Sequence, residues 1–190
     1  MAEDAELASR ICRGDIDAFE ALYEKHRRKL YQTAFAITGD RSASEEILQD
    51  AFVRAYAAMD RVHCSDSLSP WLHRITVNLT YNWTRSRQWP LSLDAFADRL
   101  FAGPTACPEH AAEDSEVHDI VWEAITSLNF NQRAVVVLFY FQGFALPEIA
   151  YILDCPTGTV KSRLHRALKA LRHTLTEDRR LTVEVALAAS

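Results

Sequence analysis

An all-α fold, two small helical domains joined by a flexible acidic linker with a helix-turn-helix in the second, is the fold class this sequence predicts, and three observations predict it. Apolar residues recur at three- and four-residue spacing through most of the chain. The one stretch with the apolar, β-branched and aromatic make-up of a buried strand, Val135 to Phe141, has no partner strand elsewhere, so context favours helix there too. Between the periodic halves, residues 90–112 hold three prolines, Gly103 and many alanines without sustained periodicity. The expected division is therefore residues 1–90, a linker 91–114, a second domain 115–178 and a tail 179–190. At 190 residues and 48% hydrophobic, the chain can bury a core in each.

In order along the chain, Asp15 or Asp17 caps a helix whose positions Phe19, Leu22, Tyr23, His26, Leu30 and Ala34 share a face, ending at Gly39. Ser42 with Glu45 three residues on reads as a capping box for the next helix. Its apolar stripe is Leu48, Ala51, Phe52, Ala55, Tyr56 and Met59, and its other side carries Glu46, Gln49, Asp50 and Val53. After a polar loop 61–68, Ser69-Pro70 supplies an N-cap and a first-turn proline for a helix to about Arg87, with Leu72, Ile75 and Leu79 facing the core. A short helix at 93–100 fits within the linker. Val117, Ile120, Val121, Ala124, Ile125 and Leu128 define the next helix face, and Asn129 or Asn131 restarts the chain. Gly143 ends the apolar run that follows, and Pro147 to Ala150, a tight turn and a long basic helix from Thr157 complete the helix-turn-helix.

The formal charge of −5 excludes a protein that coats nucleic acid indiscriminately, but the charge is strongly segregated. Residues 67–93 and 155–176 contain no acid, whereas 94–123 holds eight acids against the single base Arg99. Cys12, Cys64, Cys107 and Cys155 form no CxxC, which points to reduced thiols in a cytoplasmic protein rather than a disulfide framework. No signal peptide or bilayer-length apolar run is present in the sequence, so no membrane insertion is expected. No catalytic constellation stands out, and neither a cofactor nor a metal is expected. His63-Cys64 and Cys107-x-x-His110 each offer two ligands, which leaves a metal or thiol sensor as a minor alternative without a complete four-ligand motif.

Two faces carry chemistry. On the last helix Val160, Leu164, Ala167, Leu168 and Leu171 dock inward, while Lys161, Ser162, His165, Arg166, Lys169 and Arg172 face out; Lys and Arg suit guanine edges and phosphates of a duplex major groove. Thr157 and Thr159 lie at the helix N-terminus, where backbone N–H groups favour a phosphate. On the acid-free helix 70–87, Trp71, Arg74, Asn78, Tyr81, Asn82 and Arg85 share a side. Aromatic rings offer every base a stacking surface worth about 1 to 3 kcal/mol, so this composition suits an unpaired strand better than a closed duplex.

The blocks Gly14-Asp15-x-x-Ala18-Phe19-Glu20-x-Leu22-Tyr23, Glu46-x-x-Gln49-Asp50-x-Phe52, Trp71-Leu72-x-Arg74-Ile75-x-x-Asn78, Glu148-Ile149-Ala150 and Gly158-Thr159-Val160-Lys161-Ser162-Arg163-x-x-Arg166-Ala167 occur in this order. With them the chain resembles the extracytoplasmic-function sigma factors of the sigma-70 superfamily over about residues 10–175. That resemblance implies a non-enzymatic cytoplasmic subunit that binds core RNA polymerase, through the β′ clamp and the β flap, directs it to promoter DNA, and joins the nucleoid in the holoenzyme. By motif match, Glu46, Gln49, Asp50 and Val53 fall where the family meets the clamp. His63, Cys64 and Ser65, in the loop that holds a flipped base, and Trp71, Arg74, Asn78, Asn82 and Arg85 fall where the minus-10 element is melted. Thr157, Thr159, Lys161, Ser162, Arg163, His165, Arg166 and Lys169 fall on the minus-35 reader. The acidic linker is expected along the polymerase channel that later holds RNA, and an anti-sigma factor is an implied partner.

The sequence also departs from the family. Ala145 stands where a Ser or Thr cap is usual, Asn129 where a Pro is common, Asp154 where a turn Gly is usual and Asn82 where an Asp is common. A stand-alone helix-turn-helix regulator is the alternative function; it predicts a dimer on paired half-sites about one helical turn apart.

Overall fold

The computed structural model describes residues 2–11, 13–59, 68–86 and 111–177, and every regular element among them is helical. The first, α1 (Ala2–Ile11), is a short helix with no counterpart in the sequence reading. It packs Ala8 and Ile11 onto the first core, and Arg10 reaches past its end to Asp15 at 2.8 Å. In α2 (Ile16–Thr38), Asp15 is the cap: its other carboxylate oxygen accepts from the Ala18 N–H at 3.1 Å. The Ala18 N–H, followed by the Arg10 guanidinium, holds this carboxyl below the usual carboxylate range. Gly39, at φ 68°, closes the helix by donating to the Phe35 carbonyl, a left-handed position that glycine adopts without strain.

Helix α3 (Arg41–Ala58) corrects the expected capping box. Asp40, not Ser42, is the N-cap and accepts from the Ala43 N–H at 2.9 Å, because only two residues separate the helices and Asp40 is the first acceptor in extended backbone. Ser42 is exposed, while Ser44 is buried and its hydroxyl bonds the Asp40 carbonyl and Thr38. Helix α4 (Leu68–Ser86) begins before the expected Ser69 cap. Pro70 sits in its first turn, where no N–H is needed, and the Ser69 carbonyl accepts from His73 Nδ1 at 2.8 Å. Leu72 and Leu79 are buried as expected, Ile75 only half so. The short helix at 93–100 lies outside the described residues.

Helix α5 (Ala111–Ser127) takes in residues that the sequence reading gave to the linker, and it buries Ile120, Ala124 and Ile125 together with Trp122, which the expected stripe omitted. Asn129 caps α6 (Phe130–Val136) by accepting from the Gln132 N–H at 3.1 Å. The apolar run then continues as a π-helical turn, Val137–Phe141, rather than a strand. Gln142 N–H bonds back to the Val137 carbonyl at 3.1 Å, and Gly143 at φ 72° turns the chain out. In α7 (Leu146–Ile152) Ala145 offers no side-chain acceptor, yet Glu148 accepts from its N–H at 2.8 Å, so half of a capping box survives. Asp154 adopts the left-handed turn at φ 48°, and α8 (Thr157–Glu177) follows.

Helices α1 to α4 enclose one core around Leu22, Leu30, Phe52, Leu68 and Leu72. The larger core belongs to both halves of the chain. Phe35, Ile37 and Val77 from α2 and α4 pack with Trp122, Ile125, Val137, Leu138, Phe144, Ile149, Ile152 and Val160. The two helical domains are thus docked face to face through shared apolar surface. Arg133 stands at the seam. It donates to the Ile37 carbonyl at 2.8 Å, to Leu128 at 3.0 Å and to Thr126, tying the carbonyl ends of α2 and α5 together. Burial pushes its guanidinium down to about 10, still charged at neutral pH and matched to the negative ends of two helix dipoles.

Candidate nucleic-acid and partner interfaces

On α3 the alternation of small apolar and acidic residues turns Ala43, Ile47, Ala51 and Ala55 inward, and Glu46, Gln49, Asp50 and Val53 are all exposed on the opposite side. Val53 is 67% exposed, unusual for a β-branched apolar side chain in a packed bundle. Tyr56, assigned by periodicity to the core stripe, is instead 58% exposed; it meets Phe19 edge-on at 5.0 Å and prolongs the outward face. An acidic stripe ending in exposed apolar side chains is suited to a partner helix with basic and apolar residues.

On α8, Lys161, His165, Arg166 and Lys169 are exposed along one side, with Ser162 half-buried beside them. Val160 and Ala167 are buried and Leu164 and Leu171 half-buried, so the inward face is as expected except for Leu168, which is 40% exposed at its edge. Ser162 donates to the Thr159 carbonyl at 2.9 Å, which turns its hydroxyl along the helix. Arg163 belongs to a different side from the basic row: its guanidinium reaches Cys155 Sγ at 3.7 Å, across the turn. Thr157 and Thr159 are half-buried in the first turn, where the Thr159 and Val160 N–H groups bond the Pro156 carbonyl.

The α4 face divides. Asn78, Asn82 and Arg85 are exposed. Trp71 is half-buried against the α1–α4 core. Arg74 is already engaged: Nη1 donates to the Tyr151 carbonyl at 3.3 Å, Nη2 pairs with Asp154 at 3.1 Å, and the guanidinium lies 5.1 Å from the Tyr151 ring centre. Tyr81 packs edge-on against Phe130 at 5.1 Å. Beside them His73 is fully buried with its ring against Phe144 at 4.7 Å. Burial pushes its imidazole down to about 4, with the Ser69 carbonyl pulling the other way and His26 and Lys29 adding to the depression. The sequence reading missed Tyr151 and Asp154 as partners of Arg74. They lie 77 and 80 residues away, beyond any local pattern.

His63, Cys64 and Ser65, like Cys107 and His110, lie outside the described residues. Among the described residues no group of three His, Cys, Asp or Glu side chains could hold a metal ion, and no helix is long and apolar enough to cross a membrane.

Residues 22–90 match the family model for sigma-70 region 2, and residues 118–171 match that for sigma-70 region 4. The chain is 34% identical to the ECF RNA polymerase sigma factor SigW of Bacillus subtilis over 86% of its length and 91% of the relative's. It is 33% identical to the ECF RNA polymerase sigma-E factor of Escherichia coli K12 over 88% of its length and 92% of that protein. Among solved structures, CnrH in complex with the cytosolic domain of CnrY superposes with a TM-score of 0.71 at 24% identity, covering 93% of this chain and 99% of CnrH, a likeness of fold.

Proposed function

The chain belongs to the extracytoplasmic-function sigma factors of the sigma-70 family, RNA polymerase subunits that direct promoter recognition and transcription initiation, and from that membership we propose how its exposed faces divide the work. The carrying observation is a pair of exposed faces of opposite character on two domains: Glu46, Gln49, Asp50 and Val53 on α3, and Lys161, His165, Arg166 and Lys169 on α8. A carboxylate row repels DNA and attracts a basic protein surface; the cationic face of α8 does the reverse. The α3 stripe takes the clamp helices of the β′ subunit, and the second domain meets the β flap. Helix α8 lies in the major groove of the minus-35 element, with Thr157, Thr159 and Lys169 on phosphates and Lys161, Ser162, His165 and Arg166 nearest the base edges. Arg163, turned towards Cys155, supports the turn rather than the reading face.

The minus-10 element falls to α4. Trp71 and Tyr81 provide ring surfaces, Asn78 and Asn82 hydrogen-bond unpaired base edges, Arg74 and Arg85 follow the backbone, and loop residues His63, Cys64 and Ser65 hold the flipped base. The chain performs no bond chemistry in this scheme; it lends recognition and melting to the polymerase. It works in the cytoplasm, on the nucleoid when in the holoenzyme. The acidic linker follows the channel later filled by RNA. An anti-sigma factor is the expected regulator, and the solved complex of the sigma factor RpoE with the anti-sigma factor NepR from Bartonella quintana, similar in fold at a TM-score of 0.68, supports that kind of partner. The stand-alone regulator is not favoured, since both sigma modules match and the sigma-factor relatives align over most of their length.

Promoter binding with and without core polymerase tests the scheme. The free chain should bind promoter duplex weakly, and core polymerase should confer tight, start-site-specific binding; an equal footprint without polymerase would sink it. Asp50→Lys should lower holoenzyme assembly on every promoter by about tenfold, the order expected for reversing a charge at an interface. Unchanged assembly removes the clamp assignment.

A further inference from the structure

Helix α2 carries Lys25-His26-Arg27-Arg28-Lys29, the longest unbroken basic run in the chain, and the division of work above leaves it without a role. His26 is buried, whereas Lys25, Arg27, Arg28 and Lys29 are exposed. At helical spacing Lys25, Lys29 and Gln32 form one row with Arg28 beside it, while Glu20, Tyr23, Glu24 and Arg27 lie round the other side. Arg27 is used there: it pairs with Glu24 at 2.9 Å, and its guanidinium lies 5.9 Å from the Tyr23 ring centre. From Lys25 to Gly39 the helix has no acid, so nothing within that stretch offsets the row. Lys25 and Lys29 are like charges one turn apart, a repulsion that an anionic partner relieves.

The row borders α4. Leu22 and Leu30, from the same turns of α2, pack with Leu68 and Leu72 of α4, and the charge of Lys29 reaches His73, which precedes Arg74 in the chain. Its sign is opposite to that of the α3 face, where Glu46 and Asp50 are exposed, so the basic protein surface that suits α3 is repelled by α2. From Lys25 to Gln32 the row runs about 10 Å along the helix, room for about three backbone charges at the spacing of one DNA strand.

We propose that Lys25, Arg28 and Lys29 form a phosphate track on α2 that holds the backbone of the opened DNA strand beside α4. The inference rests on the reading of α4 as the strand-holding helix. The two helices then divide the strand between them. Asn78 and Asn82 of α4 are exposed towards base edges, but the helix has Arg74 and Arg85 as its only arginines and no lysine, and Arg74 is shared with Asp154 and the Tyr151 carbonyl. Most of the charge that a backbone needs therefore comes from α2. Lysine suits this task, because an ammonium on a long stem follows a phosphate as a point charge without demanding one geometry. Such contacts fix the path of the strand and carry no sequence information.

The test uses holoenzyme carrying the full chain with Lys25→Gln, Arg28→Gln and Lys29→Gln together. Two labelled promoter fragments that start downstream of the minus-35 element remove the contribution of α8: a fork whose minus-10 region is single-stranded, and the same fragment fully paired. Fluorescence anisotropy over a range of salt concentrations gives the slope of log affinity against log salt. On the fork the triple variant should flatten this slope by about 2, since each phosphate neutralised on a single strand contributes about 0.7. The loss should be the same when the bases flanking the minus-10 element are changed, and the paired fragment should show no change in slope. Arg27→Gln, on the other side of the helix, should leave both slopes as in wild type. If the triple variant does not fold, Lys25→Gln with Lys29→Gln should still flatten the fork slope by about 1.4. An unchanged fork slope overturns the track. So does an equal change on both fragments, which would make the row a duplex contact, or a loss of holoenzyme assembly, which would turn it towards polymerase. Wild-type holoenzyme that binds fork and paired fragment equally refutes the strand-holding reading of α4 and the track with it. Wild-type preference for the fork, combined with an unaltered slope in the variant, refutes the track alone.

Discussion

Helices α4 and α8 have similar sequences in one respect, α4 being basic without an acid and α8 basic with Glu177 at its end as its one acid, yet their surroundings differ. The basic row of α8 stands free, with Lys161, His165, Arg166 and Lys169 in solvent, whereas the α4 face is divided, with Arg74 held by another domain and His73 buried beside it while Asn78, Asn82 and Arg85 stay exposed. The contrast shows that composition identifies a surface suited to nucleic acid but not whether that surface is available. A helix at the rim of a bundle keeps its outer face; a helix between two cores keeps only part of it, here Asn78, Asn82 and Arg85.

The largest expected effect strikes the seam that makes the two helices different. Arg133→Met removes one guanidinium from three carbonyls on two helix ends, leaving buried acceptors without donors. Urea unfolding should show a loss of about 3 kcal/mol. A change within about 0.5 kcal/mol, the range of an ordinary surface substitution, would show that the seam does not depend on this residue.

Next in size is a pH dependence on the α4 side. His73 titrates near 4 in the folded chain against 6.5 for an exposed imidazole, so between these values the unfolded chain binds the extra proton. Its contribution to stability is therefore complete above about pH 6.5 and declines as the pH falls towards 4, by at most about 3 kcal/mol. Measured unfolding free energies for wild type and His73→Gln should have different slopes in this window. Parallel slopes would mean that the imidazole is not buried as described.

On the α8 side Arg166→Ala should cost about 1 to 3 kcal/mol of minus-35 binding at one base position if the guanidinium reads a base. A loss spread evenly over all sequences, with a shallower salt dependence, would reassign it to phosphate. The smallest effect is Asn129→Ala, which removes the α6 cap and should lower stability by about 1 kcal/mol in thermal unfolding without changing DNA affinity.

Much of the fold is legible in the sequence because helix signals are local. Gly39, Gly143, Asn129 and the Asp154 turn lie where the chain changes direction, and the inward faces of α5 and α8 follow their apolar spacing. Face edges are less legible. Tyr56 and Leu168 fit the periodic stripe but are exposed, and Trp122 falls outside its stripe but is buried, since the width of a buried face depends on how closely the neighbouring helix approaches. The Ser42 box lost to Asp40 for a similar reason: the short link after Gly39 set the start of α3 before the serine could.

By itself the sequence determined an all-helical chain of two modules, the acidic stripe on α3, the cationic face on α8 and the family blocks that join them. These are properties of spacing and composition along one helix at a time. Only the tertiary structure decided that Phe35, Ile37 and Val77 share a core with Trp122 and Phe144, that Arg133 ties two helix ends, and that Arg74 is already paired. Those contacts join residues many helices apart, and they depend on how two apolar surfaces come together in space, which no repeat within a single helix encodes.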